Sequence, residues 1–120
     1  MSIHTKTYGK VFDYYPRLNR LREHVEQSYS EPVSLEQAAG IAALESSYFS
    51  SYFHAKVGIT FTEWLSRVRI EKAIKLMKGS DLSITEVAYE VGFGDLRTFE
   101  RAFKKHTRMT PLQFKKTVAA

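Results

Sequence analysis

The stretch Ser83–Lys116, SITEVAYEVGFGDLRTFERAFKKHTRMTPLQFKK, decides the fold. Ser83 followed three residues later by Glu86 is a capping-box pattern, in which each side chain satisfies the other's backbone N–H. Ile84, Val87, Ala88 and Val91 then recur at helical spacing and form one apolar face. Gly92-Phe93-Gly94 makes a turn, and Asp95 caps a second helix to about His106, with Phe99, Ala102 and Phe103 inward. Thr110-Pro111 opens a last short helix carrying Leu112 and Phe114. Two short helices joined by a tight turn are a helix-turn-helix unit.

The same arrangement occurs earlier in the chain. Ser34 matches Ser83, Ala39 matches Ala88 and Leu44 matches Phe93, all offset by 49. After the turn Phe49 matches Phe99, Phe53 matches Phe103, Thr60 matches Thr110 and Trp64 matches Phe114, offset by 50. A slip of one residue is absorbed in the turn, and Ala43 stands where the second copy has Gly92. In the first copy Ser34 and Gln37 form the capping box, with Leu35, Ala38, Ala39 and Ala42 as the inner face. Ser46 or Ser47 caps the next helix, which runs to about Val57 with Phe49, Tyr52 and Phe53 inward, and Gly58 closes it.

Between the copies, Thr60 caps a longer helix over 61–78, with Trp64, Leu65, Val68, Ala73, Ile74 and Met77 as inner positions. Upstream, Leu18, Leu21, Val25 and Tyr29 give one more apolar helical face, entered through Pro16 and ended at Ser30-Glu31-Pro32. Residues 1–16 lack helical periodicity and read as an N-terminal arm. The expectation is an all-α protein of about seven helices. Its first helix-turn-helix subdomain covers 17–60, a linker helix 61–78 and a second subdomain 79–120.

Composition bounds the function. The chain has 120 residues, a net charge of +5 and a pI near 9.5, which favours a polyanionic partner. It has no cysteine, so disulfides, thiolate metal sites and thiol chemistry are excluded. His4, His24, His54 and His106 are scattered without metal-ligand spacing. With no nucleophile motif and no phosphate-cradling glycine loop, the chain reads as a non-enzyme without metal or cofactor. No apolar run has the length of a signal peptide or a membrane span, so the reading is cytoplasmic with no membrane partner.

The residues Ile84, Ala88, Gly92-Phe93, Phe99, Phe103-Lys104-Lys105 and Thr110-Pro111, with SLEQAA, Phe49, Phe53, Lys56 and Gly58 in the first copy, resemble the AraC/XylS family of bacterial transcription regulators. The resemblance runs from about Leu18 to Lys116. It implies double-stranded DNA as partner, with both second helices in successive major-groove segments on one face of the duplex. A linker of about 17 residues spans roughly 26 Å, against ~34 Å between successive groove faces. Two departures stand out: the family usually has glycine where this chain has Arg108, and often a long polar residue where it has Ser51. The family's commoner mode is activation. Its larger members add an effector or dimerisation domain, and none is present in these 120 residues. Either the chain stands alone, regulated by abundance or by contact with RNA polymerase, or it is a fragment of a longer regulator.

Aligned with the family's base-contacting positions are Ser46, Ser47, Ser50 and Ser51 on the first recognition helix (46–57) and Leu96, Arg97, Glu100 and Arg101 on the second (95–106). An arginine can bond guanine O6 and N7 with two donors, whereas serine makes one bond of either sense and specifies weakly. Residues 95–116 carry seven basic and two acidic residues, whereas 46–58 carry only Lys56 as a basic residue. The second copy is therefore expected to supply most affinity and specificity. Lys104, Lys105, Arg108, Lys115 and Lys116 suit phosphates, as do the helix N-termini at Ser34 and Ser83. Glu100 is expected to pair with Arg97, Arg101 or Lys104 along its helix rather than to accept from cytosine. The competing reading is a helical protein-interaction module whose basic face meets an acidic protein.

Overall fold

The computed structural model describes residues 5–119, and among them all regular structure is helical. Eight helices follow in order: α1 (Thr5–Tyr14), α2 (Pro16–Ser28), α3 (Leu35–Ile41), α4 (Ser46–Val57), α5 (Phe61–Gly79), α6 (Ile84–Glu90), α7 (Leu96–Thr107) and α8 (Pro111–Ala119). The described residues form two compact units that divide between Leu65 and Ser66, within the sequence of α5.

The helix starts follow from their capping residues. Ser34 Oγ accepts from Gln37 N at 3.0 Å while Ser34 N donates to Gln37 Oε1 at 2.9 Å. Ser83 and Glu86 repeat this at 3.1 and 2.8 Å, and Thr110 with Gln113 does so at 3.1 and 2.9 Å. Each box satisfies two donors that a helix N-terminus would otherwise leave bare.

Unit 1 is built on aromatic packing. Phe49, Phe53, Phe61 and Trp64 are buried and linked by ring contacts, and Leu18, Leu21, Val25, Ala38 and Ala39 are buried as well. The expected N-terminal arm is instead α1, at least from Thr5. Its anchor is Phe12, which is 1% exposed, stacks on Trp64 at 4.9 Å and meets Phe53 edge-on at 6.0 Å. Burying a phenyl ring against two aromatic neighbours outweighs the weak helical propensity of TKTYGKVFDY, with its central glycine and β-branched residues. Arg22 Nη2 of α2 donates to Asp13 Oδ1 at 2.5 Å, tying α2 to α1, and to Asn19 Oδ1 within α2 at 2.6 Å. The helix count therefore exceeds the expected seven by this one element.

Unit 2 repeats the scheme with Phe93, Phe99 and Phe103 buried and in ring contact, and Phe114 of α8 against Phe103 at 5.6 Å. Val87, Ala88 and Val91 complete its core. Several inner-face expectations shift. Leu35 is exposed, and Tyr52, Ile74, Ile84 and Ala102 are only half-buried. In α5 the buried run Phe61, Trp64, Leu65, Val68 and the buried run Ile70, Ala73, Met77 are out of phase. Ile70 shares the second face with Ala73 and Met77 and is buried, whereas the expected Ile74 lies at that face's edge.

Candidate nucleic-acid interface

In each unit two helices meet at a tight turn. In unit 1 the chain leaves α3 through Ala43, whose φ is +58, with Ala43 N donating to Gly40 O at 3.0 Å and Leu44 N to Ala39 O at 2.9 Å. In unit 2 it leaves α6 through Gly92, φ +104, with Gly92 N to Tyr89 O at 3.1 Å and Phe93 N to Ala88 O at 3.0 Å. Both are Schellman turns, and glycine favours their left-handed residue without requiring it. The turn in unit 1 has one support that sequence reading missed. Arg17 Nη1 of α2 donates to Ala42 O at 3.0 Å and Ala43 O at 2.8 Å, satisfying the carbonyls the helix end leaves open. No periodicity points to a partner 25 residues away.

The second helices, α4 and α7, are both 12 residues long and stand at the 50-residue offset along their whole length. Their ends repeat as well. Gly58 (φ +96) and Arg108 (φ +66) are both left-handed C-caps, donating to His54 O at 2.9 Å and Lys104 O at 2.8 Å. The arginine thus keeps the glycine's backbone conformation. It does so at the cost of the contact between Cβ and carbonyl that left-handed L-residues suffer.

Their starts differ. Asp95 caps α7 by accepting from Thr98 N at 2.7 Å and Thr98 Oγ1 at 3.0 Å, and these bonds, the backbone one foremost, hold its carboxyl below the usual range. At the matching position Glu45 is the N-cap of α4 and makes no side-chain cap. The expected caps, Ser46 and Ser47, already lie inside the helix, because the Schellman turn places Glu45 as the last extended residue. Their hydroxyls are thereby released from capping.

The outer face of α4 presents Ser46, Ser47, Ser50 and Ser51, all exposed. Ser51 Oγ donates back to Tyr48 O at 3.0 Å, so its proton is used and its lone pairs remain. The only lysine of α4, Lys56, lies 4.9 Å from the Tyr15 ring and 5.8 Å from the Tyr52 ring. These cation–π contacts draw its charge toward the aromatic flank. Sequence reading weighed His54 only as a metal ligand, yet it is exposed on this helix at the position matching Lys104. The repeat offset itself, carried through the helix, would have found it.

The outer face of α7 is different in kind. Arg97, Glu100, Arg101, Lys104 and Lys105 are exposed and line one open concavity with Thr110, and Arg108 extends the same stripe at three- and four-residue spacing. Leu96 is half-buried at the helix start. The expected pairing of Glu100 is not formed: among the described residues its carboxylate has no ion pair or hydrogen bond, and neither do the Arg97 and Lys104 side chains. Neighbours one turn apart on an exposed helix gain little from pairing, so solvation wins. Lys116 is exposed, whereas Lys115 is half-buried, donates to Leu82 O at 3.4 Å and lies near Glu86. Glu86 itself is lowered chiefly by its bonds with Ser83, with Lys115 adding to the effect. Phe49, Phe53, Phe99, Phe103 and Trp64 are core, leaving none as a stacking platform.

Residues 38–117 match the family model for a helix-turn-helix domain of AraC type. The chain belongs to the AraC/XylS family. Among curated relatives, the transcriptional activator RhaS of Enterobacter sp. (strain 638) is 31% identical over 99 residues, covering 82% of this chain and 36% of that protein. An AraC-type regulator of Chromobacterium violaceum superposes with a TM-score of 0.78 at 20% identity, over 87% of this chain and 93% of that one, and shows the shared fold. The DNA-binding domain of AdpA, a global transcriptional factor solved in complex with a target DNA, superposes with a TM-score of 0.72 at 25% identity, over 82% of this chain and 91% of that one. The chain spans about a third to just over half the length of three curated relatives that it matches. Family and fold in this AraC/XylS chain are those of helix-turn-helix transcription regulators, not of enzymes. None of its described helices is long and apolar enough to cross a membrane.

Proposed function

We propose that this AraC/XylS chain binds double-stranded DNA sequence-specifically, with α4 and α7 in successive major-groove segments, and regulates transcription, by activation. The observation that carries the reading is the outer face of α7. Four fixed cations and one carboxylate line a single concavity, and Arg97, Glu100 and Lys104 there have no hydrogen bond or ion pair within the described protein. A duplex offers these three side chains the partners the protein does not.

Roles follow from chemistry. Arg97 and Arg101 read guanines through bidentate bonds, worth ~1–3 kcal/mol each in discrimination. Glu100, unpaired, accepts from cytosine N4. Leu96 packs on a thymine methyl. Ser46, Ser47, Ser50 and Ser51 read weakly or through water, because a hydroxyl accepts or donates with equal ease. Lys104, Lys105, Arg108, Lys115 and Lys116 neutralise phosphates, and the first-turn N–H groups beyond Ser34 and Ser83 bond to them.

Activation is supported by the family's commoner mode and by the activator RhaS among the relatives. That mode brings contact with RNA polymerase in the cytoplasm. An effector or dimerisation domain would lie in the part of the relatives' length that this chain does not span. The test is selection of sites from random duplexes, followed by affinity against salt. Five phosphate-neutralising side chains predict a slope of log K against log salt on the order of −4. The selected site should span two adjacent major-groove segments, better defined in one half. A salt-independent affinity, or no enriched site, contradicts the proposal.

A further inference from the structure

The two reading helices differ in how their charge is made. The stripe of α7 is Arg97, Arg101, Lys104, Lys105 and Arg108, all permanently charged. At the matching 50-residue offset α4 carries Ser47, Ser51, His54, Ala55 and Gly58. Both helices share length, register and left-handed end, so the correspondence holds in structure as well as in sequence. One titratable group thus stands where the second copy has a fixed lysine. Histidine is the side chain whose charge ordinarily changes between about pH 5 and 8.

We infer that His54 is a proton-dependent DNA contact: protonated, it neutralises a phosphate beside α4 as Lys104 does beside α7. The inference rests on the DNA-binding reading above. Among the described residues His54 has no side-chain hydrogen bond, ion pair or ring contact, so nothing in the protein already uses its imidazole. Within unit 1, the described charged side chains on the elements packed against α4 are Lys10 and Asp13 of α1, Glu36 of α3 and Glu63 at the start of α5. Asp13 is held by Arg22, and none of the four pairs with His54. Within α4, Lys56 is drawn to Tyr15 and Tyr52. A phosphate placed against the imidazole therefore displaces no carboxylate already paired with it, and it favours the imidazolium. In consequence the grip of unit 1 tightens on acidification, while that of α7 changes little.

The experiment measures affinity of the whole chain for its selected duplex at pH 6.0 and 8.0, at constant ionic strength, for the wild type, His54→Ala, His54→Lys and His24→Ala. The wild type and His24→Ala should bind roughly two- to fivefold more tightly at pH 6.0, as expected for one exposed ionic contact. Their salt slope should steepen by about 0.9. His54→Ala should lose both effects, and His54→Lys should bind at pH 8.0 as the wild type does at pH 6.0. Equal pH dependence in the wild type and His54→Ala, or none in either, overturns the assignment while leaving DNA binding intact. Absence of duplex binding by every variant at both pH values refutes the DNA-binding reading itself. Circular dichroism of each variant confirms that an exposed substitution has left the helices in place.

Discussion

Replacing Arg108 by glycine should raise stability and lower DNA affinity at once. Arg108 holds φ at +66, and its backbone N–H closes α7 on Lys104 O. A left-handed L-residue costs roughly 1–2 kcal/mol, which glycine does not incur. Glycine returns about 0.4–1 kcal/mol of that through its freer unfolded chain. The net gain is about 0.5–1 kcal/mol, or roughly 2–5 °C in the unfolding midpoint for a domain of this size. The same change deletes one phosphate-directed charge, so the salt slope should flatten by about 0.9 and affinity at 0.15 M salt should fall roughly fivefold. Thermal unfolding by circular dichroism reads the first effect, and fluorescence anisotropy on a labelled duplex across a salt series reads the second. Arg108→Gln separates them, because glutamine keeps the left-handed strain and lacks the charge, so it should lower affinity without raising stability. A glycine variant no more stable than the wild type would refute the strain at this turn. An unchanged salt slope in both variants would refute the phosphate role.

Gly58→Ala should cost about 1 kcal/mol in thermal unfolding, all of it conformational, because a Cβ there meets no atom within 4 Å. Glu45→Asp should supply α4 with the cap that Asp95 gives α7, a gain of about 0.5–1 kcal/mol by the same measurement. Phe12→Ala should destabilise by roughly 3–5 kcal/mol, and proteolysis should then cut α1 first. Asp95 and Glu86 carry lowered carboxyl pKa values, so their capping contribution is complete above the ordinary carboxylate range and is lost as pH falls below about 4 through the lowered values. The boxes at Ser34 and Thr110 use glutamine and do not titrate. An acid titration of Glu86→Gln should accordingly show a shallower loss of stability than the wild type.

Much of this architecture is legible in the chain itself, because its helix starts and stops are written in local chemistry. Ser34–Gln37, Ser83–Glu86 and Thr110–Gln113 need no distant contact to act, and the aromatic pairs Phe49/Phe99 and Phe53/Phe103 keep helical period inside each copy. What escaped depends on partners far along the chain. Phe12 makes α1 a helix only because Trp64 and Phe53 await it, and Arg17 supports the turn at Ala43 from 25 residues away. The buried face of α5 changes partway along, and the second face takes Ile70 while Ile74 lies at its edge. At the interface, the basic stripe of α7 was visible as composition, but the freedom of Glu100 was not. Helical spacing puts it beside three cations, and only geometry shows that it pairs with none. The half-burial of Lys115 against Leu82 likewise follows from where α8 packs.

The central claim is that α7 chooses the site while α4 permits it. The most direct test is an alanine scan of both helices in duplex binding, at one salt concentration and one pH. Arg97→Ala and Arg101→Ala should each weaken binding to the selected site by ~1–3 kcal/mol and relax preference at the guanines they read. Ser47→Ala and Ser51→Ala should each cost less than either arginine. Serine substitutions that cost more than the arginines, or arginine variants that keep full affinity and preference, would contradict the account.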